Sequence, residues 1–515
     1  MSGTISVGVI LLIILLGSAL YLYQKYDTPD PLEPPLIHSK VPVIGHVVAF
    51  IHYGIEYFSM QSSKCSLPIF TLKMLNNKVS VITSPDLVSA VKRNHRTLSF
   101  DPIFTSAAER LAGVQGSALE LLRETASGGK GLGNEVVQAM HPSLLGDGLD
   151  HMNRRMIDVL NGSIDELALY PNRRIDLVEW CRNAMTIAST DAVYGPLNPY
   201  KSRTIQDAFW DVESNLSLLM INIAGWITAR KARKGRELLV KSFIRYYQEH
   251  GHDDASPLAY ARFKTQHDRG ATLENIARLE SVMGLGILSN TVPTGFWTIF
   301  DIYSRPALLE AIRDEIRQGA LSVDSTGQHV LDLADIRNNC PLLLSSFQET
   351  LRLRSNSGQV RVVYEDTTLD DRLLLKKGSI IAVPAATINR NKPAWGSNVE
   401  EFDPWRFTKL GESADKRQKA SAFLSFGISP SICPGRHFAT GEILALVAML
   451  ILRFDISPVT GPWKEPKTNT KAVAASLSPP VESVDVTFSE REEFKGQKWI
   501  FRVTPGKGRF GLIIG

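Results

Sequence analysis

The stretch FGISPSICPG, Phe426 to Gly435, sets Cys433 among glycine, serine and proline, directly before the apolar run RHFATGEILALVAMLILRF. A structural cysteine is normally buried inside a packed element. Here Pro434 suits the first position of a helix, where its missing N–H costs nothing, so Cys433 falls at that helix's N-terminal end. Free N–H groups and the helix dipole favour a thiolate there. Such a thiolate can serve as a nucleophile, a redox sensor or a metal ligand, and the sequence marks no partner base. The small residues Gly427, Ser429, Ser431 and Gly435 let the loop lie close against a large flat cofactor.

Other polar patterns carry less. In ETLR, Glu349 and Arg352 stand at i and i+3, where a carboxylate can grip a guanidinium on one helix face. HMNRR puts His151 and Arg155 at i and i+4, with Arg154 between them. SGGKGLG lacks the spacing of a phosphate loop and reads as a surface loop. RKARKGR reads as a solvated basic face, and NLSLLMINIAGWI before it suits a membrane-facing hairpin. Cys65, Cys181, Cys340 and Cys433 are far apart, with neither zinc nor disulfide spacing, as in a reducing compartment.

The loop FGISPSICPGRHFA resembles the haem-binding loop of the cytochrome P450 superfamily, F-x-x-G-x-x-x-C-x-G, with Ser429 in place of the inner glycine and Ser431 where many members carry arginine. The resemblance makes Cys433 the axial ligand of a haem iron, a thiolate that promotes O–O cleavage, and Phe426 a neighbour of the haem. Glu349, Arg352 and Arg406, the last in FDPWRF, resemble the family's buried Glu-Arg-Arg network. Arg361, in VRVVYED, stands where the family often has a haem-propionate ligand. His151 and Arg155 resemble the W-x-x-x-R pair of the family's third helix, with His151 in the tryptophan's place and Arg154 a rival to Arg155.

The family's central helix usually carries an acid and a threonine at the oxygen site. Here that place is GILSNTVPTGFW, with Ser289 at the acid position, Asn290 at the threonine position and Thr291 next. The pattern resembles the branch of sterol 7α-hydroxylases and prostacyclin synthase. Pro293 cannot donate to the carbonyl of Ser289 and crowds it, so the helix is expected to bend. Asn290 can both donate and accept, and so hold oxygen and a water. The expected substrate pocket takes in Phe104, Leu285, Leu288 and Gly358, Gln359 and Val360.

The elements that position these residues read as mainly helical with small segregated strands, an α+β chain of the P450 fold. Its 515 residues suffice for a large core, and a charge of +4 gives no reason to expect a nucleic-acid partner. Residues 5–23, ISVGVILLIILLGSALYLY, carry no charge and would make a helix of roughly 30 Å, one hydrocarbon core. We expect residues 1–24 to be a transmembrane anchor, 25–45 a proline-rich hinge and 46–515 the catalytic domain. IFTLKMLNNKVSVITSP reads as a hairpin, VRVVYEDTTL and SIIAVPA as strands, and the tail WIFRVTPGKGRFGLIIG as a second hairpin.

The resemblance therefore implies a single-pass haem-thiolate monooxygenase of the endoplasmic reticulum membrane, its body cytosolic. It would use O2 and NADPH, with electrons from NADPH-cytochrome P450 reductase docked on the Cys433 side. The substrate would be lipophilic and polycyclic: a sterol, a terpenoid or another secondary metabolite. Two alternatives stand beside it, a reductase-independent isomerase or dehydratase acting on a peroxide, and a non-enzymatic haem-binding protein.

Overall fold

The computed structural model describes residues 17–18, 30–41, 44–75, 77–126, 131–221, 225–408, 419–506 and 508–513. The expected membrane span at residues 5–23 lies outside them except for Gly17 and Ser18. Among the described residues no helix is long and apolar enough to cross a membrane.

A mixed sheet gathers the N-terminal strands β1 (Leu36–Ile37), β2 (Ile69–Met74), β3 (Asn77–Ile82) and β4 (Leu98–Ser99) with β5 (Gly358–Val363) and β6 (Ile380–Pro384), in the order β1-β2-β3-β6-β5-β4. The β2–β3 pair is the expected hairpin, closing with Met74 opposite Asn77. Part of the proline-rich hinge is docked on this sheet: Leu36 and Ile37 pair with Thr71 and Leu72, and Glu33 meets Lys78 at 2.7 Å. The second expected hairpin is not formed among the described residues. Trp499–Arg502 pairs in parallel with His329–Asp332, and no strand follows it among the described residues. Pro505, which lacks an N–H to donate, and the glycines around it do not extend a ladder.

The helices that build the site are α1 (Gly45–Tyr53), α2 (Leu132–Met140), α3 (Gly146–Leu169), α4 (Leu177–Tyr194), α5 (Pro257–Asp268), α6 (Leu273–Ser281), α7 (Gly284–Ile287), α8 (Thr291–Tyr303), α9 (Pro341–Arg354) and α10 (Arg436–Arg453). Their starts are written in side chains. Ser256 caps α5 by accepting from Ala259 N, with Pro257 at the first position; Thr272 caps α6 through Asn275 N; Asp176 caps α4 through Val178 N. Every residue of α8 is buried, as are nearly all of α10, which explains why both read as apolar on all sides. One large helical core takes them in, and two smaller clusters back the sheet.

Candidate active site

The buried Glu349 carboxylate is the hub behind the site. Arg352 grips it with Nε and Nη2, both at 2.8 Å, and Arg406 Nε donates to it at 3.0 Å. The guanidiniums spend their other hydrogens on backbone carbonyls, Arg352 on Asn389 and Val399 and Arg406 on Trp395 and Asn398. With these partners satisfied, the network ties α9 to the chain of residues 389–406.

That loop is a two-residue ladder, β7 (Gly427–Ile428) against β8 (Ser431–Ile432). Gly427 has φ of +101°, and a Cβ there would stand 2.8 Å from the Ser431 carbonyl, so only glycine fits. Cys433 N donates to Phe426 O at 2.8 Å, setting the thiol at the head of α10. Burial pushes the Cys433 thiol up, opposed by a hydrogen bond from the Gly435 N–H and the charge of Arg436. A bound cation would reverse that balance.

Cys433 and Phe426 line a cavity of about 380 Å³. Its opposite wall is one face of the central helix: Met283, Gly286, Ile287, Asn290, Thr291 and Thr294. The helix is interrupted there as the proline predicts, with α7 ending at Ile287 and α8 starting at Thr291. Asn290 Oδ1 accepts from Ser476 N at 2.6 Å, which commits its carbonyl side to the wall. Thr291 Oγ1 donates to Ile287 O at 2.9 Å. Ser289 does not line the cavity; it is buried behind the wall with its hydroxyl unpartnered. Leu285 and Leu288 also miss it, packing into the helical core, because the face at 3.6 residues per turn runs through 283, 286, 287 and 290.

The pocket expectation on β5 is corrected by the strand's period of two. Gln359 lines the cavity, whereas Gly358 faces Ile55 and Val360 packs on the sheet cluster. Phe104 is 39% exposed and lies off the cavity. The reading of the sequence overlooked Arg262, Ser425, Ser476 and Arg436. Only Arg436 had a local signal, since it follows the CPG of the loop.

The propionate expectations divide. Arg361 is buried, donates to the Val360 and Ile428 carbonyls, and forms no ion pair among the described residues. Arg436 donates Nη1 to Cys433 O at 3.0 Å, while its Nε is buried without a partner. His151, Arg154 and Arg155 are placed otherwise. They sit on α3, where His151 and Arg154 are exposed and Arg155 Nε meets Asp191 Oδ2 at 3.0 Å. None of the three lines the cavity; α2 and the turn after it do, through Met140 and Leu144.

A half-buried thiol at a helix head, two arginines that form no ion pair among the described residues (Asp101 is the one acid whose charge reaches Arg361) and a void between α10 and the central helix form a fitting seat for an anionic metalloporphyrin. Cys433 would ligate the iron, and Arg361 and Arg436 would meet the propionates. This is the architecture of a haem-thiolate enzyme. The cytochrome P450 family model matches residues 34–483, and the chain belongs to that family. It is 44% identical to cytochrome P450 monooxygenase nodJ of Hypoxylon pulicicidum, across 98% of this chain and 99% of that one. It is 25% identical to mouse cytochrome P450 7B1, across 87% and 89%. The retinoic acid-bound cyanobacterial CYP120A1 shares the fold with a TM-score of 0.68 at 16% identity, covering 89% of this chain and 99% of that one. The chain is thus a cytochrome P450 monooxygenase of mainly helical fold.

Proposed function

We propose that this monooxygenase inserts oxygen into a lipophilic polycyclic substrate, a sterol, terpenoid or other secondary metabolite, using O2 and electrons from NADPH through the flavoprotein reductase. The observation that carries it is the cavity itself: Cys433 on one wall faces Asn290 and Thr291 on the other, across a lining that is mostly apolar. The haem, when bound, supplies the activation of O2. The chain's part is to keep the thiolate at the head of α10, to exclude water with Phe426, Phe438 and Ile443, and to present the Asn290 carboxamide opposite. A polycyclic substrate is supported by a 22% identical human relative, 7-alpha-hydroxycholest-4-en-3-one 12-alpha-hydroxylase, aligned over 87% of this chain.

The same proposal places the protein on the endoplasmic reticulum membrane, held by residues 1–24. It is supported by bare apolar side chains near that end: Ile44, Val48 and Ile51 are each about half exposed on one side of α1. Leu218 and Ile227, in the segment expected to face a membrane, are exposed too.

One observation favours a second reading. No carboxylate lines the cavity among the described residues, so the usual acid for proton delivery is missing. A peroxide isomerase needs no such acid. Turnover of a polycyclic lipid separates the two. Product that requires NADPH and reductase supports the oxygenase; product from a lipid peroxide alone, with neither, establishes the isomerase.

A further inference from the structure

The lining of the cavity beside Cys433 includes Met140, Leu144, Val193, Leu258 and Met283, all apolar, and one cation, Arg262 on α5. Arg262 is 2% exposed. It gives Nε to Glu280 Oε2 at 3.2 Å and Nη2 to Glu280 Oε1. Glu280, on α6, also accepts from Tyr194 Oη at 2.8 Å. The third nitrogen of Arg262, Nη1, forms no hydrogen bond among the described residues. A pair serving only to staple α5 to α6 has no need of a wall position on the cavity, where Arg262 stands.

We propose that Arg262 is a specificity-determining residue whose free N–H edge binds a carbonyl-type oxygen on the substrate, at the end of the molecule remote from the carbon that is oxidised. This rests on the reading of the cavity as the substrate site. Glu280 neutralises the arginine, so the edge acts as a hydrogen-bond donor more than as a free charge, which suits a ketone or a carboxylic acid. Glu280 lies three residues before Met283, and Met283 lies seven before Asn290, roughly 10 Å of chain at helical rise across the α7–α8 break. A rigid skeleton of three or four fused rings spans that distance. The substrate class is therefore a polycyclic lipophile already carrying an oxygen, and the reaction supplying it must have been an earlier oxidation or an acyl-derived ring closure.

The test uses the full-length, haem-loaded chain and two probes of one skeleton, androstane and its A-ring ketone, with dissociation constants from optical titration and from equilibrium dialysis. Wild type should bind the ketone about tenfold tighter than the hydrocarbon. The double variant Arg262→Met/Glu280→Gln removes both charges and keeps the volume. It should bring the two probes within about twofold while hydrocarbon affinity stays put. Equal affinities in wild type overturn the proposal, as does a preference that survives in the double variant. Should that variant not fold, Met283→Phe narrows the cavity without touching the ion pair. A fall of about tenfold in ketone affinity supports the proposal and an unchanged affinity overturns it. Failure of the haem-thiolate reading shows separately, as a missing thiolate-type band in the wild-type reduced carbon monoxide complex.

Discussion

At the scale of single residues, Asn290 does two jobs that substitution can separate. Its Oδ1 takes the Ser476 N–H at 2.6 Å, tying the central helix to the loop that roofs the cavity. Its NH2 is then the part left to face a ligand. Asn290→Asp keeps an acceptor for Ser476 and loses the donor; Asn290→Ala loses both. We expect both variants to form less product per NADPH consumed. Only Asn290→Ala should also lose thermal stability, by about 1 kcal/mol, the net worth of one hydrogen bond with its buried N–H left unmet. Unchanged coupling in Asn290→Asp would show that the amide donor has no part in oxygen chemistry. Ser289 illustrates the limit of reading such sites by position alone. It occupies the place of the family's acid, yet it stands one residue off the lining face and is buried behind the wall.

At the scale of elements, what was legible followed from strong local physics. The α7–α8 break is dictated by Pro293, the β2–β3 hairpin by its alternation, and the Glu349 hub by an i, i+3 spacing backed by a second arginine. What was missed needed phase or partner. Leu285 and Leu288 belong to the right helix but the wrong face, since the lining face at 3.6 residues per turn runs through 283, 286, 287 and 290. Gly358 and Val360 flank the one lining residue of β5 for the same reason at period two. The tail's strand found a distant parallel partner that nothing local announces.

The packing of α10 on α4 yields a prediction at this scale. Glu442, fully buried on α10, has Ser189 Oγ of α4 within 2.7 Å of both its oxygens. Burial pushes its carboxyl up to about 8, only partly offset by that hydroxyl. The folded state thus holds the proton that the unfolded chain releases near 4.5. The associated stability is present in full below that pH and is lost as pH rises toward 8. Each unit is worth about 1.4 kcal/mol, so the total is on the order of 5 kcal/mol. Glu442→Gln should flatten the fall in melting temperature between pH 5 and pH 8. A slope identical to wild type would mean that Glu442 is ionised in the fold and compensated by a cation not evident in its surroundings.

At the scale of the whole molecule, the arrangement relative to a bilayer follows from the surface that is left apolar. Residues 30–41 of the proline-rich segment are no free tether, since β1 and the Glu33–Lys78 pair dock them on the sheet. Any anchor before residue 30 therefore holds the body in a restricted orientation, with α1 close to the exit point of the chain. Exposed Ile44, Val48 and Ile51 at i, i+4 and i+7 make a stripe that gains by entering the interface; about half of each side chain is still bare, so covering it is worth roughly 1 kcal/mol each. Removing residues 1–29 should accordingly leave a protein that still pellets with neutral phosphatidylcholine vesicles. Adding Ile44→Glu, Val48→Glu and Ile51→Glu should abolish that binding while the reduced carbon monoxide spectrum is preserved. In cells, the sequons at Asn161 and Asn215 should stay unmodified if that body faces the cytosol. Full vesicle binding by the triple variant would take α1 out of the interface, and a glycan on either asparagine would put the catalytic body on the opposite side of the membrane.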